Sequence, residues 1–183
     1  ALCERQSYWT VCASTRGSAP VLLNTEGMLE TDGAGFTVEP CLRIDGRLVT
    51  WADATLEQGL ADDTLPLPWV RWRHGDLELH VALAVHGAGS RAVTVVDYAL
   101  STHGALPCDV ELYLLLRPFQ VTPPWQRWQH YGGLLELRTL AWRDGAVQVN
   151  EARTLRPLTP PEGFGACSSA AVSLVDDLAA GRL

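Results

Sequence analysis

The stretch Leu77-Glu78-Leu79-His80-Val81-Ala82-Leu83-Ala84-Val85-His86 decides the fold class. Leu77, Leu79, Val81, Leu83 and Val85 recur at every second position. Successive side chains of a strand point to opposite faces, so this pattern buries one face and leaves Glu78, His80 and His86 on the other. Gly87-Ala88-Gly89-Ser90 follows, and 92–101 takes the chain back, which predicts an antiparallel hairpin.

The same pattern repeats in both directions. Segments 7–13, 20–24, 36–44, 54–60, 68–73, 134–142, 146–150, 153–158 and 164–172 read as strands. Segment 110–119 is apolar on both sides, as a central strand is. Asp45-Gly46 and Asp144-Gly145 lie between apolar runs and supply the positive φ angles that two-residue hairpins need. About a dozen strands on short turns predict an all-β fold, a large antiparallel sandwich. One short C-terminal helix is predicted: Ser173 and Asp176 cap it, Leu174, Val175 and Leu178 form its stripe, and Gly181 stops it. The proline-rich spots at 66–68, 118–124 and 157–161 read as stiff loops, so residues 1–183 read as one β domain.

At 183 residues, 47% apolar and 19% charged, the chain is long and apolar enough to bury a core. Its net charge of −7 argues against duplex nucleic acid as a partner, because such binding rests on neutralising phosphates. No apolar run reaches the ~18 residues of a membrane-spanning helix. All 14 basic residues are arginine, which excludes lysine Schiff-base chemistry, pyridoxal phosphate attachment and a P-loop lysine. Cys3, Cys12, Cys41, Cys108 and Cys167 form no CxxC and read mainly as buried small apolar groups in a reducing compartment, with a structural disulfide as the alternative; the localisation stays open, with the cytoplasm slightly favoured. The chain opens Ala-Leu-Cys with its only methionine at 28, and it reads as a piece of a larger protein.

Gly87-Ala88-Gly89-Ser90-Arg91-Ala92 only echoes a dinucleotide fingerprint, since a strand follows where a helix N-terminus would hold the pyrophosphate. No cofactor is expected. His74, His80, His86, His103 and His130 are scattered. His80 and His86 share a strand face but stand ~20 Å apart at ~3.3 Å per residue, too far to share a metal. Asp53 with Glu57, Asp62 with Asp63, and Asp109 with Glu111 are the carboxylate pairs that glycoside hydrolysis would need. They read as surface carboxylates, which is where acidic residues mostly lie.

Aromatic content is the informative excess. Seven tryptophans include two clusters, Pro66-Leu67-Pro68-Trp69-Val70-Arg71-Trp72-Arg73-His74 and the longer run from Arg117 to Gly133. In a strand, Trp69 and Trp72 differ in parity, so at most one faces the core. Trp142, beside a hairpin turn, reads as core. In the second cluster Arg117 and Gln120 lead into Trp125, Gln126, Arg127, Trp128, His130 and Tyr131. An indole stacks on the C–H face of a sugar ring, while Gln, Arg and His supply directional hydrogen bonds. Such aromatics also pack over a sandwich end or against a neighbouring domain, and both readings stand.

Thr50–Gln58 (TWADATLEQ), Leu65–Trp72 (LPLPWVRW) and Leu115–Gln126 (LLRPFQVTPPWQ) carry a family likeness. So do Gly132-Gly133, Leu140-Ala141-Trp142 and Leu158–Ala166 (LTPPEGFGA). In this order they resemble the β-supersandwich domain of large bacterial six-hairpin glycosidase-like proteins, often labelled coagulation factor 5/8 (discoidin) domain-containing. The resemblance implies a galactose mutarotase-like supersandwich placed before an (α/α)6 barrel that carries the catalytic acids and would lie beyond this segment. This chain has Thr122 where such proteins tend to have Asn, and Arg127-Trp128-Gln129 where they have a Phe-Leu-Asn run. The implied role is a non-catalytic accessory domain with carbohydrate and the adjacent (α/α)6 domain as partners, and Trp125 or Trp128 as stacking platform. The alternatives are a purely structural interdomain module, or an aldose epimerase-like enzyme using His80 or His86 with Glu111.

Overall fold

Period-2 alternation becomes thirteen strands among the described residues of the computed structural model, which are 8–15, 17–31, 36–63, 65–104, 109–118, 137–167 and 174–181. In chain order the strands begin with β1 (Trp9–Cys12), β2 (Val21–Asn24), β3 (Leu29–Thr31), β4 (Thr37–Ile44) and β5 (Arg47–Val49). Next come β6 (Thr55–Leu60), β7 (Pro68–His74), β8 (Leu77–His86), β9 (Val93–Thr102) and β10 (Val110–Arg117). The last are β11 (Leu140–Arg143), β12 (Ala146–Val149) and β13 (Arg153–Leu155), followed by the helix α1 (Leu174–Ala179).

All strand pairs are antiparallel. The first sheet runs β1-β2-β3-β4-β10 with β5 also on β4, the second is the meander β6-β7-β8-β9, and β11-β12-β13 form a third. β3 matches Thr37 and Val38 of β4, while β5 matches Leu42, Arg43 and Ile44. Pro40 falls in the gap between them, where a residue lacking an N–H is tolerated.

Inward residues of all three sheets form one core cluster: Leu23, Val38 and Leu42 from the first, Val70, Trp72, Leu79 and Val81 from the second, Val147 and Val149 from the third. The architecture is therefore an all-β sandwich with one short C-terminal helix. Trp72 is only 1% exposed and ties the sheets together, its Nε1 donating to the Glu26 carbonyl at 3.0 Å. Gly27 makes that turn at φ +82°, and a Cβ there would stand 3.3 Å from the indole nitrogen. Glycine meets both demands at once.

Asp45 and Gly46 have φ of 49° and 81°, and Asp144 and Gly145 have 52° and 71°, so both predicted Asp-Gly hairpin turns form with positive φ at both positions. The 87–90 turn likewise joins the paired strands β8 and β9, with strand and not helix after it.

Several expectations are corrected. β10 is not central: among the described residues it is the last strand of its sheet. Its outer apolar surface serves α1 instead, since Leu115 packs with Cys41 and Leu178. β4 holds the interior position and is buried on both faces from Thr37 to Leu42. β3 went unread because three residues give no visible period. Phe164–Cys167 forms no strand, and 168–172 lies outside the described residues. Leu174, Val175 and Leu178 do form the apolar stripe of α1, and Gly181 follows at φ +65°; the Ser173 cap lies outside the described residues.

Candidate functional site

Of the aromatic-loop residues predicted to contact sugar, Gln120, Trp125, Gln126, Arg127, Trp128, His130 and Tyr131 lie outside the described residues. Arg117 is described. It ends β10 and forms an ion pair with Glu39, whose side chain is 5% exposed. The predicted position at the base of the loop is therefore held by a largely desolvated ion pair, a contact costly to break.

The first aromatic cluster is well placed. Register sets Trp69, Arg71 and Arg73 on the outward face of β7, and Trp72 inward, as the parity argument required. Trp69 pairs across the ladder with Gly59, and a Cβ at that glycine would lie 2.5 Å from indole Cζ2. Gly59 therefore lets the indole lie over the β6 backbone, a cross-strand shielding of glycine by an aromatic ring. His80 meets the Trp69 ring at a centroid distance of 5.7 Å, and the Arg71 guanidinium stands 5.0 Å from its centroid. Ala82 is the β8 partner of Trp69, so the next strand leaves the platform low.

Beside Trp69 runs a charge lattice. Glu57 holds Arg71 at 3.2 Å and Arg73 at 3.0 Å, and Glu78 holds the same two at 3.1 and 3.2 Å. His103 stands 3.6 Å from Glu78. Desolvation alone would raise the Glu78 carboxyl, but hydrogen bonding to Arg73, the Arg71 charge and His103 outweigh it and hold it below the usual glutamate range. Both arginines are thus occupied by carboxylates, and Arg71 braces Trp69 while it does so.

Around the edge of this face, the two sheets part to form a cleft of about 300 Å³ between the edge strands β1 and β6. Leu23 and Val70 of the core line it, together with Tyr8, Trp9, Thr10, Asn24, Gln58 and Trp69. None of the described lining residues carries a charge. Gln58 pairs with core-facing Val70 and so points between the sheets, where a buried strand would carry an apolar residue. Asn24 is 4% exposed; its Oδ1 accepts from the Glu26 and Met28 amides at 3.0 and 2.8 Å. Those two donors fix the amide's orientation.

The other candidates are structural. Asp53 belongs to a one-turn 3-10 helix, where its Oδ2 accepts from Thr50 N and Oγ1. The Thr50 backbone bond is the main reason its carboxyl sits below the usual range. His74 Nδ1 donates to the Asp53 carbonyl. Glu111 accepts from Tyr113 and pairs with Arg43 on the first sheet, whereas His80 and His86 lie on the second, with no hydrogen bond or ion pair joining them. Among the described residues no His, Cys, Asp and Glu cluster fits a metal. Cys12 and Cys41 are buried free thiols, as read, while Cys167 is exposed; Cys3 and Cys108 lie outside the described residues. Trp142 is not core: it is 39% exposed and packs against Phe164.

Sequence reading missed the cleft because its two walls, within residues 8–24 and 58–70, are far apart in the chain. The available signals were Gln58 at an apolar parity position and the small residue Gly59 in the strand ahead of the tryptophan-bearing one.

No protein-family model matches this chain, and neither a curated protein nor a solved structure matches it.

Proposed function

We propose that this chain is a non-catalytic accessory β-sandwich of a carbohydrate-active, glycoside hydrolase-like protein, contributing a saccharide-contacting surface beside a catalytic (α/α)6 domain. The observation that supports it is the outward indole of Trp69, held flat over Gly59 and flanked by His80 and Arg71. Sugar rings bury their C–H faces on such surfaces and take hydrogen bonds at the rim. The supersandwich resemblance of the sequence points the same way.

A tryptophan fluorescence titration against neutral oligosaccharides tests the reading. A saturable change that Trp69→Ala weakens is expected. A flat response from folded protein overturns it.

A specific observation favours a structural interdomain role as second reading. Leu158 is 85% exposed, and Phe164 and Trp142 lie open nearby in sequence or by contact. Apolar groups exposed together mark surfaces that another domain covers. Sedimentation showing self-association of the wild-type chain, relieved by Leu158→Ser with Phe164→Ser, would favour that role.

A further inference from the structure

We propose that the cleft between β1 and β6 binds one neutral, hydroxylated six-membered ring, the end unit or a single unit of a saccharide. This rests on the saccharide reading above and assigns it a site.

Size comes first. A volume of about 300 Å³ is at the lower limit of small-molecule pockets and equals about ten waters, room for one ring and not for a chain. The described lining favours a neutral ligand, because a carboxylate or ammonium that lost hydration against it would meet no countercharge among those residues. Apolar faces come from Trp9, Tyr8 and Trp69. Polar contacts come from Gln58, Thr10 and Asn24. Asn24 Oδ1 is taken by the Glu26 and Met28 amides, so this side chain stands in one fixed orientation in the cleft wall.

The cleft also discriminates by shape. Cys12 Sγ approaches the Pro66 carbonyl at 3.7 Å, joining β1 to the loop before β7. An extended peptide laid along the β6 edge would run into that joint, whereas a compact ring fits beside it. β1 offers only four residues, too short an edge to hold a strand by ladder bonds alone.

The test uses the chain labelled with 5-fluorotryptophan, each resonance assigned by a single Trp→Phe change, and titrated with methyl gluco-, galacto-, manno- and xylopyranosides. The Trp9 and Trp69 resonances should move saturably with at least one of them, in the millimolar range expected of so small a ligand, while Trp142 stays in place. Gln58→Ala, on an exposed edge position, should weaken binding about fivefold or more with the other indole resonances undisturbed. Movement confined to Trp125 or Trp128, or an affinity indifferent to Gln58→Ala, overturns the cleft assignment and leaves the saccharide reading standing. Silence of every resonance to these glycosides and to oligosaccharides overturns both.

Discussion

Replacing Trp72 by phenylalanine tests the inward and outward faces of the second sheet in a single measurement. Trp72 is 1% exposed and its indole nitrogen donates to the Glu26 carbonyl at 3.0 Å. The smaller ring leaves roughly 40 Å³ unfilled, which costs about 1 kcal/mol at about 24 cal/mol per Å³. Removing the indole donor from a buried carbonyl costs about 1–2 kcal/mol more, and the lost apolar transfer adds about 0.5 kcal/mol. The sum is about 3 kcal/mol. With a urea m-value of about 2 kcal/mol per molar, the midpoint should fall by about 1.5 M. Trp69→Phe, three residues earlier on the same strand, removes the same atoms from the outward face. It forfeits the His80 and Arg71 contacts, about 0.5–1 kcal/mol, and shifts the midpoint by less than about 0.5 M. Urea unfolding followed by far-ultraviolet circular dichroism measures both. Equal losses would refute the face assignment, and with it the placement of Trp69 as a platform.

Four further outcomes follow from buried polar and apolar groups. Glu39→Ala removes the partner of the half-buried Arg117 and should cost about 3 kcal/mol in the same urea assay, with Glu39→Ala/Arg117→Met recovering part of it. Leu178→Ala should loosen α1 from Cys41 and Leu115, and thiol labelling of the Cys41 peptide, read by mass spectrometry, should quicken by about tenfold or more. Burial pushes the Cys41 thiol up to about 12 from 9.0, aided by the nearby Glu39 charge. The folded state then holds a proton that the unfolded chain releases, so this contribution is intact below pH 9 and is lost as pH rises from 9 towards 12, which alkaline urea titration of wild type against Cys41→Ala detects. The Tyr98 hydroxyl is buried with no hydrogen-bond partner, so Tyr98→Phe should leave stability unchanged or raise it by up to about 1 kcal/mol.

Much of the fold was legible because burial of one face writes itself into alternate residues. The ten residues of β8 carry five inward apolar positions, and the structure pairs them as read. Asp45-Gly46 and Asp144-Gly145 were legible for a different reason: few residue pairs accept positive φ twice in succession. β10 misled because apolar residues on both sides report two covered faces and say nothing of how many ladder neighbours a strand has. Its second cover is a helix. β4, interior in the sheet, carries Glu39, Pro40 and Arg43 and so looks less central than it is; the Arg117 ion pair and the gap between β3 and β5 make those residues admissible.

The candidate site was legible only in part, and the limit is physical. Parity places Trp69 and Trp72 on opposite sides of β7 without any knowledge of what lies beyond. A cleft, by contrast, is a relation between two sheet edges that no local period encodes. Gln58 illustrates this. Along β6 it shares the parity of Leu56 and Leu60, which hints at an inward position, and its register with core-facing Val70 shows that it points between the sheets. Asn24 ends the predicted 20–24 strand, and its Oδ1 holds the turn that follows. The same residue lines the cleft, so the turn fixes part of the wall of the proposed site. Any change that relaxes the turn, such as a side chain at Gly27, should therefore weaken ring binding along with stability, even though Gly27 does not line the cleft.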